Sequence, residues 1–236
     1  MRNWLIRTDT RNTKRLMRTK TLLLSAAVGA AGLLAASAQV YSVNSVGYIN
    51  LTIPTAYSLI SNQLKTTANK LSDILPAPPS GTKVIKWTGT GYSEYEFGDF
   101  GLGGAPFWAP DGNLVMAPGE GFFIRNPNPA PFTVTLVGEV PQAADSNITI
   151  PAGYSIRGST VPLSGNLITT MGFPSALNDK ILKWTGAGYS EFEYSDFGLG
   201  GAPFWAPSNP TVVVGEGFFV KKTVSIAWTR NFNVNL

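Results

Sequence analysis

Eight carboxylates stand in matched pairs along this chain. Glu94, Glu96, Asp99 and Glu120 return 97 or 96 residues later as Glu191, Glu193, Asp196 and Glu216. Carboxylates are the main titratable chemistry on offer. The chain contains no His and no Cys, which removes Ser-His and Cys-His nucleophilic catalysis, thiolate metal sites and disulfides. Two kinds of chemistry remain open to acids alone. A calcium ion needs several oxygens from carboxylates and loop carbonyls, and the Asp99 loop offers carbonyls but one carboxylate. A glycosidase needs two carboxylates facing each other across a cleft. Glu94 and Glu96 instead sit two residues apart on one strand face. The expectation is therefore that the first two pairs face solvent, and that the Asp and the last Glu stabilise turns. A carboxylate-based hydrolase is kept as a remote alternative.

The second set of candidate groups is aromatic. Trp108 and Trp205 follow Gly-rich loops, and Tyr92 and Tyr189 open alternating segments. Exposed rings of this kind stack on sugars, so these four are the candidate carbohydrate-binding residues. Trp87 shares a strand face with Lys83 and Ile85 and is assigned to packing. Comparison of the copies separates packing from chemistry further. Tyr95 becomes Phe192, while Phe97 becomes Tyr194. The rings persist but the hydroxyls trade places, as packing permits and a catalytic phenol does not.

These residues sit in a tandem duplication. Lys86–Pro110 returns as Lys183–Pro207, with 21 of 25 positions identical. Gly89-Thr90-Gly91 signals a turn between two strand-like runs, and Tyr92–Phe97 alternates, with Tyr92, Glu94 and Glu96 on one face and Tyr95 and Phe97 on the other. The Gly98–Gly104 loop resembles a phosphate loop but lacks the following Lys and helix. Its glycines are expected to permit sharp turns and close ring packing. Asp99-Phe100-Gly101 matches the metal-binding kinase tripeptide with none of its companion motifs. The one short helical candidate is Asn69–Leu75, stopped by the Pro-rich run that follows it. Ser225–Leu236 alternates as a closing strand.

The whole reads as residues 1–38 signal peptide, 39–49 N-terminal strand segment, 50–140 first β unit, 141–146 linker and 147–236 second β unit. The fold class expected is all-β: two tandem units of about 97 residues, sandwich or barrel-like. Either each copy is its own sandwich, or the two pack with pseudo-two-fold symmetry into one sheet system. Such units also offer strand edges for pairing with other chains. Residues 1–38 carry a basic start and an apolar run ending in Ala36-Ser37-Ala38, the pattern of a cleaved export signal. Seven of the 18 basic and one of the 14 acidic residues lie there. The remaining 11 and 13 give a net charge of −2, so a basic nucleic-acid-binding surface is not indicated. No second apolar run is long enough to span a membrane, and no cofactor is called for.

The segments KWTGTGYSEYEF, APGEGFFIRNP and TVTLVGEV, with the start VYSVNSVGYINLTIP, resemble a group of exported, functionally uncharacterised proteins of Verrucomicrobia and related bacteria. The resemblance covers most of the chain after residue 38. Val214 departs from it where the first copy has Pro118. It implies export and a β-rich fold, and brings no catalytic residues. The functional expectation is an exported, non-enzymatic protein of the cell surface, matrix or periplasm. Its partners would be further copies of itself or an extracellular polysaccharide.

Overall fold

The computed structural model describes residues 45–234, and both copies of the duplication lie in one compact unit. The expected signal peptide and residues 39–44 of the N-terminal segment fall outside the described residues. The first copy contains β1 (Val46–Ile53), β2 (Ala56–Ser61), α1 (Leu71–Ile74), β3 (Lys83–Trp87), β4 (Tyr92–Gly98), β5 (Phe107–Ala109), β6 (Gly121–Asn126) and β7 (Phe132–Glu139). A 3-10 turn at Ala143–Ser146 occupies most of the expected linker. The second copy contains β8 (Ile148–Ile150), β9 (Gly153–Arg157), β10 (Gly165–Asn166), β11 (Asp179–Trp184), β12 (Tyr189–Ser195), β13 (Phe204–Ala206), β14 (Thr211–Val212), β15 (Phe218–Lys222) and β16 (Ile226–Trp228). The fold is all-β, and every strand pairing is antiparallel.

Each copy builds a five-stranded sheet, in the order β2-β6-β3-β4-β5 and β9-β15-β11-β12-β13. A two-stranded ribbon, β1-β7 or β8-β16, makes the other wall. Among the described residues no closed barrel forms. Alternation explains the layering. In β1, Ile49, Leu51 and Ile53 point inward and Asn50 and Thr52 outward, as a period of two requires. In β4, Tyr95 and Phe97 turn into the first core. That core holds Ile49, Ile53, Val84, Phe122, Ile124 and Leu136 with α1's Leu71 and Ile74. The second core repeats it with Ile150, Ile181, Phe218, Val220 and Trp228. The expected strand Ser225–Leu236 shrinks to Ile226–Trp228. Beyond it the chain follows the 3-10 turn instead of a ladder, with Arg230 N–H donating to Asn147 Oδ1 and Phe232 N–H to Ser146 Oγ.

The outer faces of the two sheets meet. Leu59, Phe123, Ile156 and Phe219 are buried between them, flanked by Ile85, Trp87, Leu182 and Trp184. Each of these residues in one copy has its counterpart from the other copy in the same cluster. Backbone contacts are reciprocal as well. Ile60 bridges Glu216 and Glu120 bridges Arg157; Ser61 N–H donates to Gly215 O at 2.9 Å, and Gly158 N–H to Gly119 O at 3.1 Å. Each copy therefore keeps its own sheets and its own core, and the two pack through a reciprocal seam rather than merging into one sheet system.

One edge of each five-stranded sheet is short. β5 and β13 have three residues each and run into Pro110 and Pro207, while the ends of β2 and β9 are bridged across the seam. Short, proline-ended edges resist strand addition. β1 and β7, eight residues each, form a two-stranded sheet outside the five-stranded ones, so the strand edges expected to serve for pairing are longest there.

Candidate functional site

Along the seam the rings form a closed circuit. Trp87 meets Tyr92 at 5.0 Å between centroids, Tyr92 meets Phe123 at 6.5 Å and Phe123 meets Trp184 at 5.4 Å. Trp184 meets Tyr189 at 5.1 Å, Tyr189 meets Phe219 at 5.7 Å and Phe219 returns to Trp87 at 5.9 Å. All six contacts are edge-to-face, the geometry that the ring quadrupole favours. Hairpin register produces this circuit. Trp87 lies opposite Tyr92 and Trp184 opposite Tyr189 at the turn ends of their ribbons. The Gly-bearing turns are tied by Thr88 and Thr185, whose hydroxyls donate to Gly91 O and Gly188 O. Each indole N–H then crosses to the other copy: Trp87 to Tyr154 O at 2.8 Å, Trp184 to Tyr57 O at 3.0 Å. Trp87 thus packs, as expected, but half-buried in the seam and not in its own copy's core.

Tyr92 and Tyr189 are the solvent-facing members, 54% and 43% exposed. Partial burial pushes the Tyr92 phenol up from its ordinary range; burial, and then the neighbouring Tyr92, push Tyr189 up. Two of the four candidate carbohydrate-binding residues are therefore brought together at the surface.

The other two are corrected. Trp108 and Trp205 are each 4% exposed. β5 and β13 pair with β4 and β12 so that Trp108 lies opposite Phe97 and Trp205 opposite Tyr194, on the inward face. Ring distances of 5.4 Å in both pairs, and indole hydrogen bonds to Leu75 O and Ser175 Oγ at 2.9 Å each, fix them there. They cannot stack on a sugar. What stands exposed beside the Gly loops is a set of residues the sequence reading passed over. Phe100, Leu102 and Phe107, with Phe197, Leu199 and Phe204, lie at the surface. Phe100 packs at a tilt against Phe107, at 5.4 Å between ring centroids, and Phe197 against Phe204, at 5.3 Å. The signal was present: Asp99–Pro110 and Asp196–Pro207 are identical at every position.

The duplicated carboxylates are engaged in structure. Lys83 Nζ sits 2.5 Å from Glu94 and 3.3 Å from Glu96, and Lys180 repeats this with Glu191 and Glu193 at 2.5 and 3.2 Å. Glu120 accepts from Ala117 N–H and Glu216 from Val213 N–H. Asp99 and Asp196 accept from Gly101 and Gly198 N–H inside their own loops. Among the described residues, no three acidic side chains are grouped so as to hold a metal ion, and none of their helices is long and apolar enough to cross a membrane. No family, curated protein or solved structure matches this chain.

Proposed function

We propose that this chain is an exported, non-enzymatic structural protein of the cell surface or matrix that works by contact, with further copies of itself or with polymers. The observation that carries this reading is the pair of identical loop tips. Leu102 is 73% exposed and Leu199 75%, each framed by exposed Phe rings. Soluble surfaces seldom present clustered large apolar side chains without a partner for them. Export rests on the signal-like start, and the sequence's resemblance to exported proteins of Verrucomicrobia is in keeping with it. Sedimentation velocity on residues 39–236 over a hundredfold concentration range tests the reading. An average mass that climbs with concentration is expected; a monomer throughout, with no co-pelleting on insoluble polysaccharides, would contradict it.

A second reading, carbohydrate binding, is favoured by a separate observation. Tyr92 and Tyr189 are exposed on an immobilised aromatic seam, where a ring would stack with little loss of side-chain freedom. Co-pelleting with a polysaccharide that is lost in Tyr92→Ala/Tyr189→Ala and kept in variants of the loop tips would support it.

A further inference from the structure

We propose that a cavity where β3 of the first copy meets β9 of the second binds an anionic sugar unit, with Arg157 holding the anion. This inference rests on the carbohydrate-binding reading above and adds charge to it. The cavity has a volume of about 330 Å³, and Lys86, Trp87, Glu120, Tyr154, Ser155 and Arg157 stand in its wall. Small-molecule sites begin at about 300 Å³. Charge sets this cavity apart. Lys86 Nζ donates to Val115 O at 2.8 Å and lies 3.3 Å from Glu120 Oε2, which also accepts from Ala117 N–H. That lysine and that carboxylate cancel, so Arg157 is an excess cation. Among the described residues it belongs to no ion pair. Its Nε is buried without a hydrogen-bond partner, as is Ser155 Oγ. Burial draws the guanidinium below its ordinary range, and the charge of Glu120 opposes that. A guanidinium nevertheless stays charged inside a protein.

The duplication supplies the comparison. At the symmetric place Lys183 Nζ donates to Thr211 O and lies 3.0 Å from Glu216. There the residue equivalent to Arg157 is Ile60, buried in the first core. Register fixes the equivalence. Ile60 lies opposite Phe122 and Arg157 opposite Phe218, and each bridges the matching glutamate of the other copy. The fold is satisfied by isoleucine at this position, so the charge at 157 has another use. A desolvated cation without a counter-ion costs stability. A guanidinium pairs best with a carboxylate or a sulfate, through two parallel hydrogen bonds. The rings choose what carries the anion. Trp87 and Tyr154 are joined by the indole N–H and Tyr154 O at 2.8 Å, Tyr154 is exposed, and Tyr92 continues the aromatic surface 5.0 Å from Trp87. Aromatic faces beside a single excess cation suit a sugar ring that bears one anionic group. Residues 39–236, with 11 basic and 13 acidic side chains, carry a net charge of −2, which disfavours the dense phosphate charge of nucleic acid.

The test is calorimetric titration of residues 39–236 with a galacturonate oligomer, a sulfated dextran oligomer, neutral dextran and a thymidylate oligonucleotide. Binding of an anionic sugar that is weakened by salt, with the neutral sugar weaker, is expected; the better of the carboxylated and sulfated sugars names the anion. Arg157→Ile, which copies the first repeat, is expected to weaken that binding about tenfold or more. Its melting temperature without sugar should be unchanged or higher, because an unpaired charge is removed. Glu120→Gln keeps an oxygen for Ala117 N–H and removes the competing charge, so it is expected to strengthen binding while leaving Arg157 in place. If no sugar binds, the carbohydrate reading itself fails. If neutral dextran binds as tightly as the anionic sugars, or Arg157→Ile binds as tightly as the wild type, that reading stands and this site alone is overturned. Unchanged or weaker binding by Glu120→Gln also overturns it. Thymidylate that binds as well as the anionic sugars, and loses its affinity in Arg157→Ile, would assign the cavity to nucleic acid and overturn it as well.

Discussion

Ser61 and Gly158 hold the same position in the two copies and meet each other where the copies join. A Cβ built on Gly158 would lie 2.1 Å from Ser61 Oγ and 2.3 Å from Ser61 Cβ. One of the two must therefore be glycine, and the duplication has diverged to satisfy that. Gly158→Ala should destabilise the chain by about 1–3 kcal/mol, the usual range for overpacking. Ser61→Gly in the same chain should restore most of the loss. Urea midpoints of the two single variants and the double variant make the cycle, and simple additivity would contradict the contact. The tyrosines give a pH prediction. Both phenols are raised above their ordinary value near 10. The folded chain then keeps protons that the unfolded chain has lost. The stability this provides is complete below about pH 10 and declines as pH rises through the folded values. Between pH 9 and 11 the urea midpoint of the wild type should fall more steeply than that of Tyr92→Phe/Tyr189→Phe. Equal slopes would show that the seam tyrosines are not coupled to folding.

At the scale of elements, the two copies solve one position differently. Lys222 and Asp179 form a fully buried ion pair at 2.5 Å, and Lys222 also donates to Pro174 O. Burial draws the lysine below its ordinary range, and the aspartate opposes that. The first copy places Asn126 and Thr82 at the equivalent positions, with Asn126 donating to Ile53 O and Ala130 O. Removing one partner of a buried pair strands the other charge. Lys222→Asn alone should cost about 3–5 kcal/mol, and adding Asp179→Thr should recover much of it. Thermal melts compare the variants; a double variant no better than the single would contradict it. The β3-β4 and β11-β12 hairpins were legible because five or more alternating residues flank a Gly-rich turn. Trp108 and Trp205 were not, because a three-residue strand displays no period and a Gly loop beside a Trp suggests exposure. Their partners Phe97 and Tyr194 lie eleven residues upstream, and only pairing across the loop brings the rings together. The exposed tips were overlooked for the converse reason: Phe and Leu read as core wherever burial must be inferred from residue type.

For the whole molecule, the duplication and the all-β class stand plainly in the sequence, whereas the face-to-face seam does not. The alternation of Ile85 and Trp87 marks a packed face without telling which surface covers it, and the cover comes from residues nearly a hundred positions away. The seam consists of the exterior faces of both sheets, so neither copy satisfies its Trp, Phe and Leu side chains alone. Trp87→Ala/Trp184→Ala, which also removes both crossing indole hydrogen bonds, should destabilise the chain by more than the corresponding change at either site singly. A molecule built this way is expected to unfold as one body. The most direct test is urea unfolding of residues 39–236, followed at once by far-UV circular dichroism and Trp fluorescence. A single transition, coincident by both probes, is expected from two copies locked across a shared aromatic seam. Two separated transitions, one for each copy, would contradict it.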